Sequence, residues 1–220
     1  MVFKNRRKRD KGKNESLVTN TVPNSKIAEE YRTIRANLQF SSANSKDKTI
    51  VITSPRFGEG KSTVAANLAV SIAQQGEKVL LIDADLRKPA IHEIFQLENT
   101  IGLTNVLSGQ KVIEGAVEKT GIGRLHVLAS GPVPSNPAEL LSSAVMETLI
   151  QKVLEQYDII LIDSPPILEV ADTSILADRC DGTLLVINCN HTMNEDAVEA
   201  KRTLSFTKGK LIGAILNNKV

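Results

Sequence analysis

The sequence predicts an α/β protein of three layers, a mostly parallel central sheet flanked by helices. Three observations carry that prediction. Continuous apolar runs (VLLI at 79–82, IILI at 159–162, TLLVI at 183–187) alternate with helical patterns, as strands buried on both faces do. A glycine-rich segment, SPRFGEGKST at 54–63, stands between one strand and one helical pattern. Two further strands end in aspartate, Asp83 and Asp163, at the edge where open α/β sheets receive ligands. A chain of 220 residues with 41% hydrophobic content can bury a sizeable core as one unit. Neither an internal repeat nor a second domain is visible.

Residues 1–24 read as a basic, disordered N-terminal tail and residues 25–220 as the folded domain. Residues 1–15 hold seven basic residues against Asp10 and Glu15, a net of +5, so the remainder is net −3 within the overall +2. Ser16 to Pro23 offers no apolar core for a signal peptide. Besides a solvated arm, such a tail suits an anionic membrane surface, each basic residue contributing about 1 kcal/mol there. DNA fits less well because the body is acidic. Next, Ser25–Ser41 has Ile27, Ile34 and Leu38 spaced for one helical face. Strands are expected at Thr49–Thr53, Lys78–Ile82, Leu125–Leu128, Asp158–Ile162, Thr183–Ile187 and Lys210–Leu216. Helices are expected at Thr63–Gln74, Met146–Gln156 and Asn194–Phe206, with short pieces at Ile91–Phe95 and Leu103–Leu107.

Aromatic residues make up 3% of the chain and Trp is absent, which argues against base-stacking platforms for single-stranded nucleic acid. Cys180 and Cys189 lack metal-ligand partners at a recognisable spacing and read as reduced, buried or half-buried thiols of a cytosolic protein. No apolar run approaches the roughly 18 residues of a membrane span.

The glycine-rich segment carries the first chemical signal. Gly58 and Gly60 let the backbone bend so that N–H groups from Arg56 to Thr63, those of Glu59, Gly60 and Ser62 among them, face a polyphosphate. The next helix adds its positive end. Lys61 can reach β- and γ-phosphates, and the Ser62 hydroxyl can ligate Mg²⁺. Pro55 occupies the first glycine position of the GxxxxGK[ST] pattern and stiffens the early turn. Asp83 and Asp85, two apart, would repel without a cation. Asp163 beside the loop reads as a third group for the metal. Together these motifs indicate the P-loop NTPase fold with a nucleotide and Mg²⁺; the resemblance below implies that the nucleotide is ATP.

Three segments resemble the Walker A, A′ and B motifs of bacterial tyrosine kinases of capsule and exopolysaccharide synthesis: the loop, the DxDxR run (Asp83, Asp85, Arg87) and IILIDSPP at 159–166. GPVPSNPAELLSS at 131–143 is close to that family's GPxPPNPxELL, with Ser135 replacing a proline, and Glu29, Arg32 and Arg35 form its ExxRxxR pattern. The resemblance spans residues 25–220 and is to the cytoplasmic, separate-chain type. It implies transfer of phosphate from ATP to protein tyrosine, peripheral placement at the inner face of the cell membrane, and activation by a membrane adaptor that modulates polysaccharide chain length. It also implies assembly into a ring through Glu29, Arg32 and Arg35. Within it, Asp83 is the candidate base, Lys61 and Asp85 assist catalysis, Ser62, Asp85 and Asp163 hold the metal, and Asn217 contacts adenine. The residues alone allow Glu29, Arg32 and Arg35 to be an ion-pair ladder and Asn217 to be a turn residue; they do not divide base and metal roles between Asp83 and Asp85.

The family's clustered C-terminal tyrosines, the sites of autophosphorylation, have no counterpart in the sequence given. Its two tyrosines are Tyr31, in the ExxRxxR helix, and Tyr157, before an expected strand. Two other readings share the fold. One is a nucleotide-switched positioning ATPase of the chromosome-partition and septum-site type, which carries a signature lysine where this chain has Arg56. The other is a silent ATP-binding scaffold.

Overall fold

In a computed structural model of the chain, residues 16–41 and 47–218 are described. Seven strands form one sheet: β1 (Thr49–Thr53), β2 (Val79–Asp83), β3 (Val117–Lys119), β4 (Leu125–Leu128), β5 (Ile159–Asp163), β6 (Gly182–Asn188) and β7 (Lys210–Asn217). Their spatial order is β3-β4-β2-β5-β1-β6-β7. Every neighbouring pair is parallel except β3 with β4. The expected mostly parallel α/β architecture is therefore the observed one.

The central strands are apolar throughout because alternate residues enter different cores. Ile50, Ile52, Leu81 and Leu161 face the layer of α1 (Val18–Thr21), α2 (Lys26–Ser41) and α3 (Lys61–Ala73). Val51, Leu80, Ile82, Ile160 and Ile162 face the layer that holds α5 (Leu103–Leu107), α6 (Pro137–Ser142), α7 (Ala144–Leu154) and α8 (Asp172–Ala177). Helix α4 (Ile91–Phe95) sits with the first layer, and α9 (Asn194–Leu204) covers β6 through Ala200 and Leu204. Ala65, Ala66 and Ala69 keep α3 close against the sheet, each fully buried.

Several boundaries differ from expectation. Helix α3 begins at Lys61, directly after Gly60, rather than at Thr63. Strands β2 and β5 each start and end one residue later than the expected spans, which puts Asp83 and Asp163 at their ends as the motifs had them. The edge strand β3 was not expected, since three residues with exposed Glu118 and Lys119 leave no apolar pattern. Helices α6 and α8 are six residues each, too short for a helical period to show.

The boundary at residue 24 needs correction. Leu17 is buried in the core, and Thr19 donates from its N–H and hydroxyl to Asn67 Oδ1 at 3.1 and 2.9 Å. Asn67 in turn donates to the Ser16 carbonyl at 2.6 Å. The polar string at 16–24 hid this because its anchor is a buried side chain of α3, distant in sequence. Residues 1–15, which carry the basic cluster, lie outside the described residues. Ile27, Ile34 and Leu38 do share a face, but that face borders an open groove of about 930 Å³ between α2 and β7. Ile27 stays half exposed there.

Candidate active site

The loop between β1 and α3 takes its shape from two glycines, Gly58 at φ +84° and Gly60 at φ +85°, a region that L side chains rarely adopt. A Cβ on Gly60 would also stand 2.4 Å from the Asn217 amide. Lys61 and Ser62 open α3, so its N-terminal N–H groups and these two side chains share one end of the helix.

Strand register brings the aspartates to the same place. Asp83 and Asp163 are paired neighbours at the ends of β2 and β5, and both are fully buried. Lys61 Nζ lies 2.9 Å from Asp85 Oδ2 and 3.6 Å from Asp163 Oδ2. The Ser62 hydroxyl donates to Asp163 Oδ2 at 2.6 Å. Asp163 Oδ1 is buried with no hydrogen-bond partner. Asp83 accepts from three backbone N–H groups, Asp85, Ala90 and Ile91, and so fastens the start of α4. Asp85 Oδ1 accepts from Lys88 N. The structure thus brings together Lys61, Ser62, Asp83, Asp85 and Asp163, all drawn from distant stretches.

Three carboxylates share one ammonium here, so not all can be satisfied. Burial and then the Asp163 charge push Asp83 well above the ordinary carboxylate range. Burial raises Asp163 too, against the pull of Lys61 and Ser62. Burial disfavours the charged Lys61, but Asp163 and Asp85 outweigh it and hold its pKa above the usual value. Among the described residues no three His, Cys, Asp or Glu side chains form a ready-made metal cage.

The remaining expected residues divide. Asn217 reaches the loop, but its amide donates to the Glu59 carbonyl at 2.9 Å. The Glu59 side chain accepts from the Asn188 N–H and the Thr192 hydroxyl through Oε2, which leaves its main-chain N–H as the group that could meet a phosphate. Thr63 is exposed and its carbonyl accepts from Asn67. Glu29 pairs with Arg32, which also donates to the Pro23 carbonyl, whereas Arg35 donates to the Ser71 carbonyl at 2.7 Å within its own chain. Cys189 is exposed, contrary to the expectation of a buried or half-buried thiol.

Two contacts were not legible. Arg87 of the DxDxR run makes a two-pronged pair with the fully buried Asp172 of α8, at 2.9 and 3.0 Å, which fixes the loop after β2. Lys88 sits 4.0 Å over the Phe57 ring and joins that loop to the phosphate loop. Nothing in the sequence marks Asp172 beyond an acid before a short helix.

A bent glycine loop leading into a helix, beside carboxylates at the ends of adjacent parallel strands, defines the class: a P-loop nucleotide-handling protein. Comparisons narrow it. A family model described as an AAA domain matches residues 47–210. Tyrosine-protein kinase YwqD of Bacillus subtilis (strain 168) is 50% identical over 214 residues, covering 97% of this chain and 90% of that protein. The crystal structure of the chimerical protein CapA2B2 superposes with a TM-score of 0.90 at 38% identity, over 93% of this chain and 90% of that one. The kinase domain of Escherichia coli tyrosine kinase ETK matches with a TM-score of 0.90 at 30% identity, over 93% and 80%. The chain belongs to the bacterial tyrosine kinases of capsule and exopolysaccharide synthesis. The resemblance drawn from the motifs is thereby borne out.

Proposed function

We propose that the buried cluster at the ends of β1, β2 and β5 moves the γ-phosphoryl group of Mg·ATP to tyrosine hydroxyls of protein substrates. The observation that carries this reading is the convergence of Lys61, Ser62, Asp85 and Asp163 on one point beside the phosphate loop. Mg·ATP supplies the transferable group and part of the charge neutralisation; the chain supplies position. Backbone N–H groups from Gly58 to Thr63 hold the phosphates, and Lys61 turns from Asp85 toward the β- and γ-oxygens. Ser62, Asp85 and Asp163 would hold Mg²⁺, which would supply charge neutralisation at the phosphates. The orphaned Asp163 Oδ1, buried beside Ser62 and Lys61, is an oxygen that a divalent cation would satisfy.

Asp83 accepts the proton of the incoming tyrosine hydroxyl. Burial and the Asp163 charge raise this carboxyl, so a cation beside Asp163 would be needed to hold it deprotonated for that role. Its oxygens are spent on backbone N–H groups, so the loop at 84–90 shifts to free one. Asn217 turns from Glu59 to the adenine. Lys61, Asp83, Asp85 and Asp163 are all buried, which is a closed arrangement. A cytoplasmic segment of a separate membrane protein raises the fraction of open, competent molecules. No described helix is long and apolar enough to cross a membrane; the same partner would bring the chain to the membrane. Subunits assemble through Glu29 and Arg32, with Arg35 exchanging Ser71 for a neighbour.

A nucleotide-switched positioning ATPase is the second reading, and Arg56 weighs against it. That guanidinium is held by Asp196 at 2.8 and 2.9 Å and by Glu169 in its own chain, so it does not stand free to serve another copy. Incubating the purified chain with labelled ATP, a tyrosine-containing protein and the adaptor segment separates the readings. Label on tyrosine is expected. Phosphate release without transfer indicates the switch, and neither product indicates a scaffold.

A further inference from the structure

The phosphate loop carries a buried acidic side chain to which the roles above give no task. Glu59 stands between Gly58 and Gly60 and is 1% exposed. Its Oε2 accepts the Asn188 N–H at 2.7 Å and the Thr192 hydroxyl. Its Oε1 is buried with no hydrogen-bond partner among the described residues. Its carbonyl accepts from the Asn217 amide at 2.9 Å. One residue of the loop is thus tied by its side chain to the end of β6 and by its main chain to the end of β7. Those two ends also supply Asn190, Asn217 and Asn218 to the polar end of the α2–β7 groove.

The loop's bend does not require this group, because the flanking glycines provide it. A carboxylate held in the interior by neutral donors, with one oxygen unsatisfied, is costly. Its geometry fits a link between two parts that must respond to each other.

We propose that Glu59 is a positioning residue that couples the polar end of the groove to the phosphate loop. A nucleobase held beside Asn190 and Asn217 then orders the backbone N–H groups that hold the phosphates. The base competes for the Asn217 amide, which releases the Glu59 carbonyl. The carboxylate, still bound to Asn188 and Thr192, keeps the loop in register during that exchange. This inference rests on the nucleotide reading of the loop, and its effects must be reciprocal between the two halves of the ligand.

The test is calorimetric affinity for Mg·ATP and for Mg·tripolyphosphate, which lacks the nucleoside, with the full chain and three variants. In the wild type the nucleoside half adds affinity. In Thr192→Val and Glu59→Ala that gain shrinks by about fivefold to tenfold, the size expected for one lost hydrogen bond. Thr192→Val keeps its tripolyphosphate affinity, and Glu59→Gln, which still accepts both donors, restores most of the gain. Equal loss of both ligands in Thr192→Val overturns the proposal, as does an unchanged gain in that variant. A wild type that binds tripolyphosphate as tightly as ATP overturns the nucleotide reading, and the proposal with it.

Discussion

Lys61 divides one positive charge between Asp85 and Asp163, and it is 8% exposed. It is therefore not the exposed loop lysine that its motif suggests. Lys61→Met should reduce phosphoryl transfer by at least about a thousandfold, but it also strands two buried carboxylates. Its melting temperature should fall at neutral pH and recover toward the wild-type value as acid protonates them; a fall of the same size at every pH would contradict this cluster. Asp163 gives the opposite balance. Its folded pKa is raised, so the stability of its protonated form is complete below the ordinary value of about 4 and is lost as pH rises through the folded value. Asp163→Asn should thus make the nucleotide-free protein more stable than wild type near pH 8, by about 1–2 kcal/mol. The gain should shrink toward pH 5, while Mg²⁺-dependent nucleotide binding weakens. Paired melting curves and binding isotherms at the two pH values check both effects.

At the level of elements, α1 and α2 are held to the helix that follows the phosphate loop. Asn67 of α3 bonds Ser16 and Thr19, Gln74 bonds the Thr19 carbonyl, and Arg35 bonds Ser71. Asn67→Ala leaves α3 a good helix former but orphans the Thr19 N–H. We expect a loss of about 1–3 kcal/mol, read as faster amide exchange at Leu17 to Val22 before any change in the sheet. Unchanged protection there would show that Leu17 alone anchors the segment. The tyrosines belong to this level too. Tyr31 is buried in α2, where burial and then Glu30 raise its hydroxyl to about 12. Tyr157 bonds His126 at 2.8 Å beneath Lys78. Tyr157→Phe should leave the phosphate incorporated into the chain itself unchanged, as mass spectrometry of the kinase after incubation with ATP would reveal.

At the level of the whole molecule, charge is separated from catalysis. The sequence places a net +5 in residues 1–15 and the catalytic motifs in the acidic remainder. Deleting residues 1–15 keeps the Ser16 anchor on Asn67. That variant should retain wild-type ATP affinity yet bind anionic liposomes less, with the difference vanishing as salt shortens the roughly 8 Å screening length. Sedimentation with liposomes at two salt concentrations measures it. Equal liposome binding by both chains would remove the tail from membrane placement.

The sheet, the loop and the strand-ending aspartates were legible in the sequence because each leaves a local mark. A strand buried on both faces needs unbroken apolar residues, as VLLI and IILI show, and a phosphate loop needs glycines at fixed offsets from Lys61. What only the tertiary structure decided depends on partners far apart in the chain. Arg87 meets Asp172, Glu59 meets Thr192 and Asn67 meets Ser16, across separations of 85, 133 and 51 residues. The hydrogen-bond partners of Asp83 and Asp85 belong to the same group. Both look alike in sequence, yet one is spent on the backbone of α4 and the other on Lys61. Backbone pattern determines where the chain lies in the sheet; which buried polar groups satisfy each other is determined only when the sheet has brought them together.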